Sequence, residues 1–167
     1  MWNCSRPVAN DKTAGFPEIK EAIHNKLFHA TEKNGGYNHH PHLTYYQGKL
    51  YAMWSNHKYG EDGPGQRVLY STSPDGFNWS FWKELFPSPV PMIDSEKKGI
   101  ALTASGWVKK DGKLFSKAGC HANIGFYNPD KTDLAGVRDR DHPFRARKGY
   151  SSFAREIKEN EELGPIT

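Results

Sequence analysis

One short string in the chain comes back further along. Gln47-Gly48-Lys49-Leu50-Tyr51 returns as Asp111-Gly112-Lys113-Leu114-Phe115, a turn dipeptide followed by the same pattern of basic, aliphatic and aromatic residues. At the same offset His57 corresponds to His121. A repeat of this kind points to a duplicated supersecondary unit, each copy burying its faces on its neighbour, the other reading being a small four-to-eight-stranded α+β domain in which the repeat is accidental. Composition agrees: 16 Gly and 11 Pro suit many short strands, and 5 Trp, 8 Tyr and 9 Phe are more than disordered chains carry.

The runs between turns fit strands. Leu43 to Tyr46, the turn Gln47-Gly48 and Lys49 to Trp54 form a hairpin, glycine at the second turn position accepting positive φ. Arg67 to Thr72 follows the polar loop from Asn56 to Gln66 as a third strand. Pro74-Asp75-Gly76 turns the chain again, and Trp79 to Phe86 makes a shorter fourth strand before the proline-rich stretch to Pro91. The second unit repeats the order, with Gly106 to Lys110, Lys113 to Phe115, Tyr150 to Ile157, and Glu161 to Pro165 opening a fourth strand. Two successive four-stranded antiparallel units with aromatic punctuation are the sequence pattern of propeller blades.

The expected fold is therefore all-β, about two four-stranded blades of a partial β-propeller, preceded by one short α-helix. The divisions are a tail over 1–16, a helix within 17–35, blade 1 over 36–91, and blade 2 over 92–167 with a charged insertion at 123–148. The helix, from Pro17 to Lys33, rests on Ile19, Ala22, Ile23, Lys26 and Leu27 at helical spacing and on Asn34-Gly35-Gly36 as a stop. Propellers close with about four to eight blades, so a two-bladed chain is expected to be a piece of a larger one, with the remaining blades as its partners.

Charge narrows the function classes. The formal net charge is +4, and 23 Lys and Arg are interleaved with 19 Asp and Glu. Even the basic stretch from Arg138 to Lys148 is interrupted by Asp139 and Asp141, so no nucleic-acid partner is expected. No run approaches the roughly 18 apolar residues of a membrane span, and no membrane partner is expected. Cys4 and Cys120 are too few for a disulfide scaffold. The start of the chain has no apolar leader segment. Asn3-Cys4-Ser5 and Asn78-Trp79-Ser80 match the glycosylation sequon, so the compartment stays open, a secreted or periplasmic parent protein included.

The densest cluster of reactive residue types is Tyr37-Asn38-His39-His40-Pro41-His42, just before the first strand. Counting back from the turn pairs His42 with Met53, His40 with Ser55 and Asn38 with His57. Alternation then places His40, His42, Ser55 and His57 on one face, with His39 and Asn56 on the other. The start of the first strand and the end of the second share the rim with the loop carrying Glu61 and Asp62. Histidine suits proton transfer there, its unperturbed pKa lying at about 6.5. Three readings stand side by side: acid–base or substrate-binding use, a metal held by converging imidazoles, and backbone hydrogen bonding by His39 and His42 at a strand entrance. The candidate catalytic residues are His39, His40 and His57, and the candidate substrate-binding residues are Asn38, His42, Asn56 and Arg67. No cofactor and no metal is assigned.

Ser73-Pro74-Asp75-Gly76-Phe77-Asn78-Trp79 resembles the Asp box of sialidase-type propellers, although Asp and Gly are adjacent here where that box spaces them by one. The box is architectural, a turn tied by its Asp side chain, which makes Asp75 a poor catalytic candidate. Together with Tyr37 to Tyr46, Leu50 to Asn56 and Gly65 to Ser73, it gives the chain, from about Gly36 to Pro165, a resemblance to the sialidase-like BNR-repeat superfamily. The branch it is most similar to is the seven-bladed one of ulvan lyases and related α-L-rhamnosidases. The resemblance implies a carbohydrate-active enzyme, a polysaccharide lyase or glycoside hydrolase on acidic or deoxy-sugar polysaccharides, with a rim histidine as acid/base. It carries that role onto His39 or His40, with His57 matching a second rim histidine. The arginine and tyrosine that the lyase chemistry also needs would come from later blades. A non-catalytic glycan-binding or scaffold propeller is the alternative.

Overall fold

The computed structural model describes residues 21, 23–61, 63–88, 91–92, 99–123 and 150–167. The expected tail, the first part of the expected helix and nearly all of the insertion lie outside them. The described residues form two antiparallel sheets. In the first, β1 (Tyr37–Tyr46), β2 (Lys49–His57), β3 (Arg67–Ser73) and β4 (Lys83–Phe86) follow one another in space as in sequence. In the second, β5 (Gly99–Lys110), β6 (Lys113–Asn123) and β7 (Tyr150–Ile157) do the same. This meander is the blade pattern of a partial β-propeller. The two turns behind the repeat have the backbone they call for, Gln47 and Gly48 at φ 44° and 80°, Asp111 and Gly112 at 51° and 71°. Positive φ at both positions matches the right-handed twist of the flanking strands.

The core lies between the sheets. Tyr51, Met53, Val68, Tyr70, Leu85 and Phe86 of the first pack on Leu102, Ala104, Leu114, Ala118 and Ile157 of the second. Along β2 and β3 these are alternate residues, as a half-buried strand requires. Polar bonds cross the same seam. Buried Gln66 accepts the Leu102 N–H on its own carbonyl at 3.0 Å and donates Nε2 to the Leu102 carbonyl at 2.9 Å. Arg155 donates to the Leu85 carbonyl at 2.8 Å.

Three local expectations are corrected. No helix occurs among residues 23–33. Instead Asn25 donates to the backbone carbonyls of Gly76 and Phe77, and Phe28 packs on Trp54 and Trp82 with ring centroids 5.3 and 6.3 Å away. A short helix in water is marginal, so tertiary contacts of an extended segment on the outer face of β2 prevail over helical spacing. The fourth strand is only Lys83–Phe86, because Ser80 is drawn into side-chain bonds with Ser71 and Thr72. Among the described residues the second unit has no complete fourth strand: Leu163 bridges Ile157 and Thr167 pairs with Ala154, while Pro165 between them has no N–H for a continuous ladder.

Candidate functional site

The site begins at an irregularity in β1. From Tyr46 and Lys49 back to His42 and Met53 the pairing follows the count from the turn, but beyond it His39 pairs with Ser55, Asn38 with Asn56 and Tyr37 with His57. His40 and Pro41 together stand opposite Trp54. The expected pairs His40 with Ser55 and Asn38 with His57 are therefore off by one residue. Proline has no N–H for the ladder, and strands accommodate it at bulges. The bulge leaves His40 at φ 53°, a left-handed conformation that costs a non-glycine residue roughly 1–2 kcal/mol.

Neighbouring strand residues normally point to opposite faces. Here the bulge gathers the adjacent imidazoles of His39 and His40, ring centroids 4.1 Å apart. Glu61, from the β2–β3 loop, completes the group: its Oε1 accepts from His39 Nδ1 at 3.2 Å and lies 3.9 Å from His40 Nε2. Behind them, buried Ser55 takes the Ala104 N–H on Oγ at 2.9 Å and holds His40 Nδ1 at 3.3 Å. A hydroxyl donates to or accepts from an imidazole nitrogen, so Ser55 orients the ring in either tautomer. The three side chains of the cluster are a third to a half exposed.

Residues 18–167 match the family described as "Beta-prop_BT_1020:-like, N-terminal beta propeller". The chain belongs to that family. A solved structure described as "Sialidase" superimposes on the propeller with a TM-score of 0.60 and 21% identity, over 85% of this chain and 14% of that one. At that identity the likeness is one of fold, and the chain spans 14% of the sialidase's length. No curated protein sequence matches the chain.

Within the propeller the other expected site residues have different surroundings. His57 is buried, with Nε2 donating to the Pro64 carbonyl at 3.0 Å and Nδ1 accepting from the backbone N–H groups of Tyr59 and Gly60 at 3.3 and 3.2 Å. It is the post around which the Glu61 loop is wound. A Cβ at Gly63 would stand 2.2 Å from its ring, so only glycine lets the loop close over it. Asn38 and buried Asn56 bond each other at 2.9 Å. Arg67 donates Nε to Asn56 Oδ1 at 2.9 Å, pairs with Glu84, reaches the Asn34 carbonyl and lies over the Trp82 ring. His42 is turned to the second sheet, its carbonyl taking Trp107 Nε1 at 3.3 Å and its ring beside Gly106. The expected shared face for His40, His42 and His57 is thus divided by the bulge and by the packing of the second sheet. Beside His39 and Asn38 opens a recess of about 350 Å³ walled by Leu27, Phe28, Pro41 and Trp54.

Glu61 completes the cluster, whereas the sequence places it only on the rim loop. Pro41 was the usable signal: a proline within a strand predicts a slipped register, and the slip is what brings His39 to its partner.

Proposed function

We propose that the propeller belongs to a carbohydrate-active enzyme and that His39, His40 and Glu61 form its acid–base group, acting on an acidic or deoxy-sugar polysaccharide. The observation that carries this reading is the convergence of two imidazoles and a carboxylate at the bulge in β1. The resemblance to ulvan lyases and α-L-rhamnosidases supports a lyase or a glycoside hydrolase. In the lyase form, His40 Nε2 takes the proton α to a uronate carboxylate while Ser55 steadies Nδ1, and the 4-linked sugar leaves by β-elimination. In the hydrolase form, one protonated imidazole gives its proton to the glycosidic oxygen as the bond to the anomeric carbon breaks, and a water that loses its proton to the second imidazole adds to that carbon. His39, tied to Glu61, is the second proton-transfer group.

The lyase form needs positive charge near the uronate carboxylate. Arg67 is committed to Asn56, Glu84 and Trp82, so in this reading it braces the rim, and the cation comes from the remaining blades. Asn38 and the recess beside His39 offer an amide and aromatic walls to a sugar ring, and His57 acts as a positioning residue for Glu61. The half-exposed ring of Tyr59 on the same loop favours glycan binding as the alternative. The test is turnover of a uronate- and rhamnose-containing polysaccharide panel by the protein with all its blades. New ultraviolet absorbance marks the lyase, new reducing ends without it mark the hydrolase, and His40→Ala abolishes either. Retention without product, or turnover unaffected by His40→Ala, overturns the acid–base reading.

A further inference from the structure

We infer that His39, His40 and Glu61 form a binding site for a divalent transition metal of the zinc class. The inference goes beyond the proposed function and rests on it only for its consequence, that an ion held there withdraws both imidazoles from proton transfer. Two imidazole nitrogens and one carboxylate oxygen are a donor set suited to zinc, and three protein ligands leave positions open for water or a sugar oxygen.

The geometry is close to that of a loaded site. Zinc–nitrogen and zinc–oxygen bonds of about 2.0–2.2 Å put neighbouring tetrahedral ligands roughly 3.3 Å apart. Glu61 Oε1 already stands 3.2 Å from His39 Nδ1 and 3.9 Å from His40 Nε2, and the three residues each offer one donor atom within 4.8 Å of the other two. Closing the widest gap therefore takes at most a movement of about 1.5 Å, within the rotamer freedom of the exposed His39 and Glu61 side chains.

Independent features of the chain support the same three atoms. The strained bulge turns two consecutive residues toward one point, an arrangement regular pairing cannot supply, and such strain persists where the surroundings over-determine it. Ser55 grips the far nitrogen of His40, the outer-shell contact that orients a metal-bound imidazole. Buried His57 fixes the loop that presents Glu61. These contacts leave Nδ1 of His39, Nε2 of His40 and the carboxylate facing one another.

The experiment is titration of the untagged 167-residue chain with Co²⁺, read from the d–d absorption, followed by competition with Zn²⁺. The expected result is one saturable site displaced by zinc, with the spectrum lost in His39→Ala and affinity falling at least tenfold in Glu61→Gln. Glu61→Gln is isosteric at a side chain that is 40% exposed, so the second variant is expected to keep the fold, checked by circular dichroism. Ser55→Ala is expected to weaken binding about 10- to 100-fold. A folded chain that develops no spectrum, or one that His39→Ala and Glu61→Gln leave unchanged, overturns the site. The two readings fail separately. A missing spectrum with turnover still lost in His40→Ala removes the metal and keeps the acid–base group, whereas turnover abolished by chelation and restored by zinc keeps the metal site and removes both the acid–base group and the inhibitory role.

Discussion

Asp75 fastens its turn through its carboxylate. Its Oδ1 accepts the backbone N–H groups of Phe77 and Asn78 at 2.8 and 2.7 Å and its Oδ2 takes the Asn78 amide at 2.7 Å. The Asn78 backbone and side-chain bonds, then Phe77, hold its carboxyl at about 2. A folded-state value below the unfolded one favours the ionised form in the native protein, so this contribution is present above about pH 4 and lost as pH falls toward 2. Thermal melts across that window should show an acid loss of stability that Asp75→Ala flattens, the variant melting lower than the parent at pH 7. His57 offers a second test. His57→Ala removes a buried ring and strands the N–H groups of Tyr59 and Gly60 and the Pro64 carbonyl, a combination expected to cost about 2–4 kcal/mol in urea denaturation.

At the scale of the element, β1 carries both the site and its strain. His40 occupies a backbone conformation that glycine adopts at no steric cost. His40→Gly should therefore be more stable than His40→Ala by about 1 kcal/mol, measured by chemical denaturation, although both lack the imidazole. Equal stabilities would mean that the bulge holds no strain. The slip also explains why β1 serves two environments. On its hairpin side His42 and Thr44 pair with the core residues Met53 and Tyr51, and His42 and Tyr46 bond to the second sheet. On its far side the chain is released to place His39 and His40 beside Glu61.

Over the whole molecule, stability and association have different sources. The two sheets share one core, so Leu114→Ala, on the second sheet, should cost about 2–5 kcal/mol and lower the melting of both sheets in a single transition, followed by circular dichroism and by Trp54 fluorescence together. The other face of the first sheet is only partly covered by the Phe28 segment. Leu43 and Tyr45 on β1 are 63% and 58% exposed and Phe81 is 78% exposed. Exposed apolar surface of this kind leads to self-association or dye binding. The 167-residue chain is expected to bind a hydrophobic dye and to scatter light at higher concentration, and Leu43→Lys with Tyr45→Glu to reduce both.

The parts legible in the sequence were those settled within a few residues of the chain. Gln47-Gly48 and Asp111-Gly112 carry their turn geometry in their own φ preferences, the Asp75 box ties itself with bonds spanning three residues, and strand alternation follows from the two-residue period. The all-β, bladed architecture follows from these. Over residues 23–33 the helical spacing is overruled because its competitor is not local: Trp54, Trp82 and the Gly76 carbonyl lie far along the chain and meet Phe28 and Asn25 only after the sheet has formed. The cluster was half legible. Two adjacent histidines and a carboxylate loop were visible, but a one-residue slip at Pro41 exchanges the partners of every residue beyond it. Whether His57 meets the rim or anchors the loop was decided by the Pro64 carbonyl and the N–H groups of Tyr59 and Gly60 closing on its ring, and by burial under a glycine that lets the chain approach, contacts that exist only once the loop is folded back.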